Sequence, residues 1–464
     1  MSVQLLSVKS EAPMTIARDL LEHWETPKKR YGVMAWKGTF WEWHGNRWEK
    51  RDREHVVSAA LMALEGAIVM GGDPLTVNSK MATEVVRCIE AIAEVPHEKL
   101  PVWLERMEAV TDPMFSVAFE DVVVDVKKSA LEGKVVTVER DERLFGGMVL
   151  KCGWNPKAEC PTWDRCCREW GTGPQWTELL ERFCGYCTMG DREQARALGQ
   201  FGENRGGKGT PIRVMKRLMG EDAVKEKDVT TFSDQYGLAG LPGSQVLVLT
   251  EMNELDSFRG EIVTSRLKQI LGGDGMTVNG KYDRFIEVRL GVAPILQANE
   301  MPKLPNKGEG LTSKLLILPY TKTFLGREDV ELEAKLWGER EGIARKWVEA
   351  AVRLMAEKNP MNRWPVAEEA ERVMQAYLRS INQLEQFVAD VFIKEPQAVV
   401  TTEAVRGEYI RWCEEMEVRP VVSTQGLVEE LFEKIPWHLT RYRAPGGGQR
   451  MVKGMAMKRR TEDT

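Results

Sequence analysis

The chain has 464 residues, enough for two to four domains with cores of their own. Apolar residues at 43% and charged residues at 29% describe a globular protein in water, and a net charge of -5 excludes an overall basic nucleic-acid binder, so any DNA-facing surface has to be local. No apolar run nears the ~20 residues of a membrane span, and residues 1–13 hold no apolar leader core, so the expectation is a cytoplasmic protein of a bacterial or host cell.

Residues 1–110 read as a mixed, mainly helical α+β domain that serves as a collar or binds a partner. Residues 39–50 stand out, because Phe40, Trp41, Trp43 and Trp48 alternate with polar residues around His44-Gly45-Asn46, a hairpin signal. The tryptophans either stack on bases beside Arg47, Lys50 and Arg51 or fill the core of a small domain, and the core reading is preferred. Helices are expected over 54–70 and 81–92. A lead-in domain follows over 111–190, with strands over 115–126 and 134–139, where β-branched residues alternate with charges. Six of the eight cysteines lie from Cys152 to Cys187, with one C-x-x-C pair at Cys184 and Cys187 and no second pair at zinc-ribbon spacing. Residues 178–187 read as a helix whose apolar side is Leu179, Leu180, Phe183 and Tyr186, so buried thiols are preferred to a zinc site.

The stretch richest in chemistry is Gly-Glu-Asn-Arg-Gly-Gly-Lys-Gly-Thr at 202–210. It follows a short apolar run, 197–201, and precedes an amphipathic segment, 212–219. In that strand–loop–helix context, backbone N–H groups wrap a phosphate chain. Gly202, four residues, then Gly207-Lys208 is P-loop spacing, with Asn204, Gly206, Gly207, Gly209 and Thr210 as the rest of the cradle. Gly209 stands where a hydroxyl is usual, and Thr210 comes one place later. A flexible turn capping a helix is the plain alternative.

Three further strands are expected at 245–250, 291–298 and 315–319, which with 197–201 make an alternating β/α core spanning 191–328. The first ends in Glu251, with Glu254 close behind, where an acid holds Mg²⁺ or orients water. The second ends in Asn299, an amide that either contacts a γ-phosphate or caps a turn. Between them, Gly272-Gly273 ends a helix, and residues 276–285 alternate about Asn279-Gly280, a two-residue hairpin signal. Lys268, Thr277, Lys281 and Arg284 on or beside that hairpin are candidate DNA contacts, or else solvated surface.

A helical segment is expected over 329–394, and Glu395-Pro396 reads as a linker. Helices over 402–415 and 423–435, then a β-pair over 439–443 and 450–457, suggest a winged helix at 395–464. Between Lys434 and Arg460 there are eight Lys or Arg and no acid, which makes Arg441, Arg443 and Arg450 candidate DNA contacts.

Four segments agree in order and spacing with one family. Gly202-x4-Gly207-Lys208, the strand ending in Glu251, Lys268 to Lys281 with Leu-Gly-Gly-Asp, and Gln297-Ala-Asn-Glu-Met-Pro resemble superfamily 3 DNA helicases of the phage and plasmid primase–helicase type, which includes the poxvirus primase–helicase. The resemblance spans roughly residues 110–460. It implies an α/β, AAA+-like P-loop ATPase core that uses ATP and Mg²⁺ and forms a hexameric ring translocating 3′ to 5′ on single-stranded or forked DNA. Lys208 and Thr210 would serve the phosphates and Mg²⁺, Glu251 would be the Walker B acid and metal ligand, and Asn299 the sensor. Glu254 is the second choice for orienting water. The family's arginine that reaches a neighbour's γ-phosphate is replaced here by Lys314, with Arg289 and Arg327 as substitutes. Replication partners such as a primase fit this reading. An origin-binding initiator that melts duplex DNA and recruits a host helicase is the alternative. A primase activity in the first ~150 residues is disfavoured, since they hold no Asp-x-Asp pair.

Overall fold

A computed structural model describes residues 6–26, 30–105, 111–252, 257–279, 285–302, 309–381, 383–416, 420, 422–423, 426–444 and 448–458. The chain divides into two compact units, Met1–Ala367 and Glu368–Thr464.

The first unit begins with α1 (Pro13–His23) and an antiparallel meander, β1 (Val33–Trp36), β2 (Thr39–His44) and β3 (Arg47–Arg51). The aromatic hairpin is present, and Trp41 and Trp48 are buried, as the core reading expected. Asp52 and Asn78 accept backbone N–H bonds that start α2 (Arg53–Leu64) and α3 (Ser79–Ile92). α2 is shorter than expected, because Ile68–Val69 leaves the helix to pair with Ser7–Val8. A second meander, β4 (Ser116–Ala118), β5 (Val122–Asp125) and β6 (Val136–Glu139), holds α4 (Val126–Glu132) between its last two strands. α5 (Pro161–Trp170) and α6 (Pro174–Thr188) each start on a proline, whose missing N–H is harmless there.

The centre of this unit is a five-stranded parallel sheet: β7 (Ala197–Gly202), β8 (Val224–Asp228), β9 (Val246–Thr250), β12 (Ala293–Ala298) and β13 (Leu315–Tyr320), in the order β8-β9-β12-β7-β13. The four expected strands are there, and β8 is an addition. Its sequence, Val-Lys-Glu-Lys-Asp, carries only one buried apolar residue, which an edge strand tolerates. The apolar runs of β9, β12 and β13 are buried on both faces, between α7 (Gly209–Met219), α8 (Ser257–Gly272) and α6. Beside the sheet stands a hairpin of β10 (Gly275–Asn279) and β11 (Phe285–Arg289), and the unit continues through α9 (Leu332–Gly338) and α10 (Arg340–Ala356). α6 and α10 touch closely, since a Cβ on Gly185 would lie 2.2 Å from the Trp347 carbonyl oxygen.

The hairpin corrects one expectation. Asn279 pairs with Phe285, so Asn279 is a paired strand residue and not the first residue of a two-residue turn. The register follows from burial. Met276 and Val278 lie opposite Val288 and Ile286, whereas a tight Asn-Gly turn would set them against Asp283 and Lys281.

The second unit holds α11 (Glu368–Ile381), α12 (Gln383–Val391), β14 (Phe392–Thr401), α13 (Thr402–Glu415), α14 (Leu427–Lys434), β15 (Thr440–Arg443) and β16 (Arg450–Met457). Its sheet is antiparallel in the order β14-β16-β15. Phe387, Tyr409, Trp412, Leu431 and Val452 belong to a core of its own. Glu395-Pro396 is therefore not a linker but part of β14, at a register shift between Glu395 and Val399. An outer strand accepts proline at such a bulge.

Candidate nucleotide site

All five strands of the sheet are parallel, so their C-terminal ends share one edge. Phe201 is level with Ala298, and the β9–β12 register carried two residues on sets Glu251 level with the same row. Gly202, Glu251 and Asn299 thus emerge side by side. β7, which leads into the glycine loop, lies between β12 and β13, where the strand order changes direction, and in open α/β sheets such a point forms a crevice.

The loop needs its glycines for steric reasons. Gly202 has φ +134°, and a Cβ there would fall 1.9 Å from the Tyr320 carbonyl oxygen. Gly207 has φ +94°, and its Cβ would fall 2.4 Å from Trp170 Nε1. Two non-glycine residues at this edge, Arg205 (φ +56°) and Glu251 (φ +54°), are left-handed, a strain that gathers at functional sites. The segment after β13 straps the loop from outside. Glu203 N donates to Tyr320 O at 2.9 Å, Thr323 Oγ1 to Asn204 O at 2.9 Å, and Phe324 N to Arg205 O at 3.0 Å.

Lys208 sits at the centre. Its ammonium donates to the carbonyl of Gly202, to Glu203 O at 2.9 Å and to Asn299 Oδ1 at 3.1 Å. Burial pushes it below the usual lysine range, against the pull of Glu203. The lysine thus spends its three N–H bonds on two loop carbonyls and the Asn299 amide. Gln297, on β12, locks the start of α7: its amide donates to Gln200 Oε1 at 2.7 Å and to Lys208 O at 3.0 Å, and Gln200 donates in turn to Tyr320 Oη at 3.2 Å. Strands β12, β7 and β13 are thus stitched together by hydrogen-bonded amides, Gln200 buried and Gln297 half-buried. Thr210 is buried, and its hydroxyl accepts from Arg213 Nη2 at 3.1 Å, while Arg213 also pairs with Glu333 of α9.

The glycine cradle and central lysine fit a phosphate chain. The metal fits less completely, because Thr210 Oγ1 is engaged by Arg213, leaving exposed Glu251 as the ready oxygen donor. Lys208, Asn299, Glu251, Thr210 and the loop glycines are brought together. Lys314 is not: it precedes β13 at the opposite edge, where its amine donates to Leu271 O at 3.4 Å. Six residues of strand separate that edge from the loop, roughly 20 Å. Arg213 and Thr323 were missed by sequence reasoning, and Gln297 stood in the family segment without a role of its own. For Gln297 the signal was a polar side chain inside an apolar strand.

Among the DNA candidates, Thr277 is exposed on β10 opposite Glu287, and Lys268 is half-exposed on α8. Glu254, Lys281 and Arg284 lie outside the described residues. In the second unit, Arg441, Arg443 and Arg450 are exposed. Arg441 pairs with Glu429 and covers the Phe432 ring at 5.3 Å, and Arg443 stands directly opposite Arg450. The six clustered cysteines are free and buried, and burial pushes Cys152 and Cys160 up to about 12 and Cys166 up to about 11. Among the described residues, no helix is long and apolar enough to cross a membrane.

A family of unknown function, DUF5906, matches residues 201–312, which run from the end of β7 past β12. No curated protein matches the chain. Among solved structures, the A-form apo structure of the NrS-1 C-terminal region (305–718) is similar at 10% identity and a TM-score of 0.50, over 96% of this chain and all of that one. A second A-form apo structure of the NrS-1 C-terminal region gives 10% identity and 0.49, over 95% and 99%. At this identity the likeness is one of fold.

Proposed function

We propose that this chain is an ATP-driven DNA helicase of a phage, plasmid or mobile element, working as a ring that moves 3′ to 5′ on one strand. The observation that carries the reading is the Lys208 ammonium held in a glycine loop at a topological switch point, 3.1 Å from the amide of Asn299 on the neighbouring strand. The order of acid, amide and hairpin along the chain supports it, as does the family resemblance.

In this reading Lys208 leaves its loop oxygens for the β- and γ-phosphates, and backbone N–H groups of 206–210 with the N-terminus of α7 hold the chain. Gln297 keeps the Lys208 backbone fixed while the side chain moves. Asn299 orients the water or the γ-phosphate. Thr210 and Glu251 would hold Mg²⁺, which neutralises charge on the transferred phosphoryl group, with Arg213 released toward Glu333. Lys314, remote from its own loop, would act on the neighbouring subunit's nucleotide. The β10–β11 hairpin, with Lys268, Thr277, Lys281 and Arg284, follows the strand, and the basic β15–β16 pair holds duplex.

Phosphate release by the full chain with and without single-stranded DNA tests the reading. Lys208→Ala should lower hydrolysis by ~100-fold or more, and Asn299→Ala by ~10–100-fold. Undiminished hydrolysis by Lys208→Ala would sink the assignment. Forked substrates with a single 3′ or 5′ arm read polarity. Hydrolysis without unwinding, with specific duplex binding, would favour the origin-binding initiator.

A further inference from the structure

Charge also gathers at the far end of α7, away from the glycine loop. A cavity of about 270 Å³ lies between β3 and the turn from Met219 to Ala223, which follows α7. Its apolar wall is Trp41, Trp48 and Met219, all buried. Its volume suits a small molecule and not a polymer.

The acids in its wall are already matched. Glu49 pairs with Arg47 at 2.6 Å and Arg51 at 2.8 Å, Glu221 with Lys216 at 3.0 Å, and Asp222 with Lys225 at 2.9 Å. That accounts for every carboxylate of the lining and for two of its four cations. The other two, Lys50 and Lys151, have no ion pair among the described residues. Lys50 donates to the Pro242 carbonyl at 3.1 Å and stands 5.4 Å from the Trp41 ring centre. Both lysines lean over glycines: a Cβ on Gly243 would come 3.4 Å from Lys50 Nζ, and one on Gly220 would come 3.7 Å from Lys151 Nζ. Lys50 is half-buried and feels Asp222, a carboxylate that Lys225 already holds, so an anion from solution adds the counter-charge that the lining leaves short.

We propose that this cavity binds a small phosphorylated molecule with a flat organic body, its phosphate between Lys50 and Lys151 and its body against Trp41, Trp48 and Met219. Two lysines with no ion pair among the described residues, in a lining of four cations against three acids, suit a phosphate, and the indole wall suits a ring system such as a nucleobase. Because Met219 ends the helix that begins in the glycine loop, occupancy would brace α7 from its far end.

The probe is dAMP, titrated calorimetrically into the full chain and into Lys208→Ala, which disables the glycine loop. Equal affinity in both, within about twofold, is expected. Lys151→Met, at an exposed position, should weaken binding by about tenfold, and Lys50→Met by at least as much. Inorganic phosphate alone should bind about tenfold more weakly than dAMP. Loss of dAMP binding in Lys208→Ala would assign it to the glycine loop and overturn the proposal. So would absence of dAMP binding to the full chain, affinity unchanged in both lysine variants, or dAMP no tighter than phosphate. The helicase reading can fail without touching this result, since no step here depends on hydrolysis.

Discussion

Gly207 shows how much of the site is decided by single atoms. Its left-handed φ and the nearby Trp170 indole leave no room for a methyl group, so Gly207→Ala has to move either the loop or the tryptophan. The expected loss of stability is about 1–3 kcal/mol, read as a lower Tm, together with loss of nucleotide binding in calorimetry. An unchanged Tm would mean that the loop is not held against Trp170. Lys50 gives a second test at this scale. Burial pushes it from 10.5 down to about 8, with Asp222 pulling it up and Lys225 down. The unfolded chain therefore binds the proton more tightly than the folded one, so the unfavourable term is largest below pH 8 and fades as pH rises toward 10.5. Lys50→Met should gain up to roughly 3 kcal/mol over wild type near pH 7 and lose most of that gain near pH 10.5. A gain that did not vary with pH, in denaturant titrations, would contradict the shift. The glycines and lysine were legible in the sequence because their spacing is local. Asn299 was legible too, from its place at a strand end, but the partners of Arg213 and Asn204 were not, since Glu333 and Thr323 come from positions about 120 residues on.

At the scale of elements, apolar runs announced β9, β12 and β13, while β8 stayed hidden because an edge strand can carry Lys225, Glu226 and Lys227 without burying them all. Glu395-Pro396 misled for the opposite reason: proline signals a break, but β14 absorbs it at a bulge. The β10–β11 hairpin turned on a competition between local turn chemistry and a buried face. Asn279-Gly280 favours a tight turn, yet that turn would place Met276 and Val278 across from charges. The buried pairs win, because each apolar side chain contributes ~1.5–3 kcal/mol on burial, more than a turn type is worth. Val288→Asp, opposite Met276, should accordingly cost about 2–3 kcal/mol and abolish any DNA-stimulated hydrolysis that depends on the hairpin. A variant of wild-type stability would mean that this register is wrong.

The whole molecule pairs a unit built on a parallel sheet with a second unit that has its own core of Phe387, Tyr409, Trp412 and Leu431, so residues 368–464 are expected to fold and melt cooperatively when expressed alone. In a chain of net charge -5, this unit carries the one long acid-free basic stretch. Arg443 and Arg450 oppose each other across β15–β16, and like charges in that position weaken a sheet by a few tenths of a kcal/mol to ~1 kcal/mol. Relief comes when an anion lies between them, and a DNA phosphate has the charge and the spacing of acceptors for two guanidinium groups. Stability and binding should then move in opposite directions. Arg450→Ala should stabilise the isolated unit by up to ~1 kcal/mol, read as a slightly higher Tm, while weakening its binding to duplex DNA and lowering the slope of log affinity against log salt by about one. Fluorescence anisotropy over a salt series, beside thermal melts, measures both. An arginine kept for structure alone would give a lower Tm and an unchanged slope.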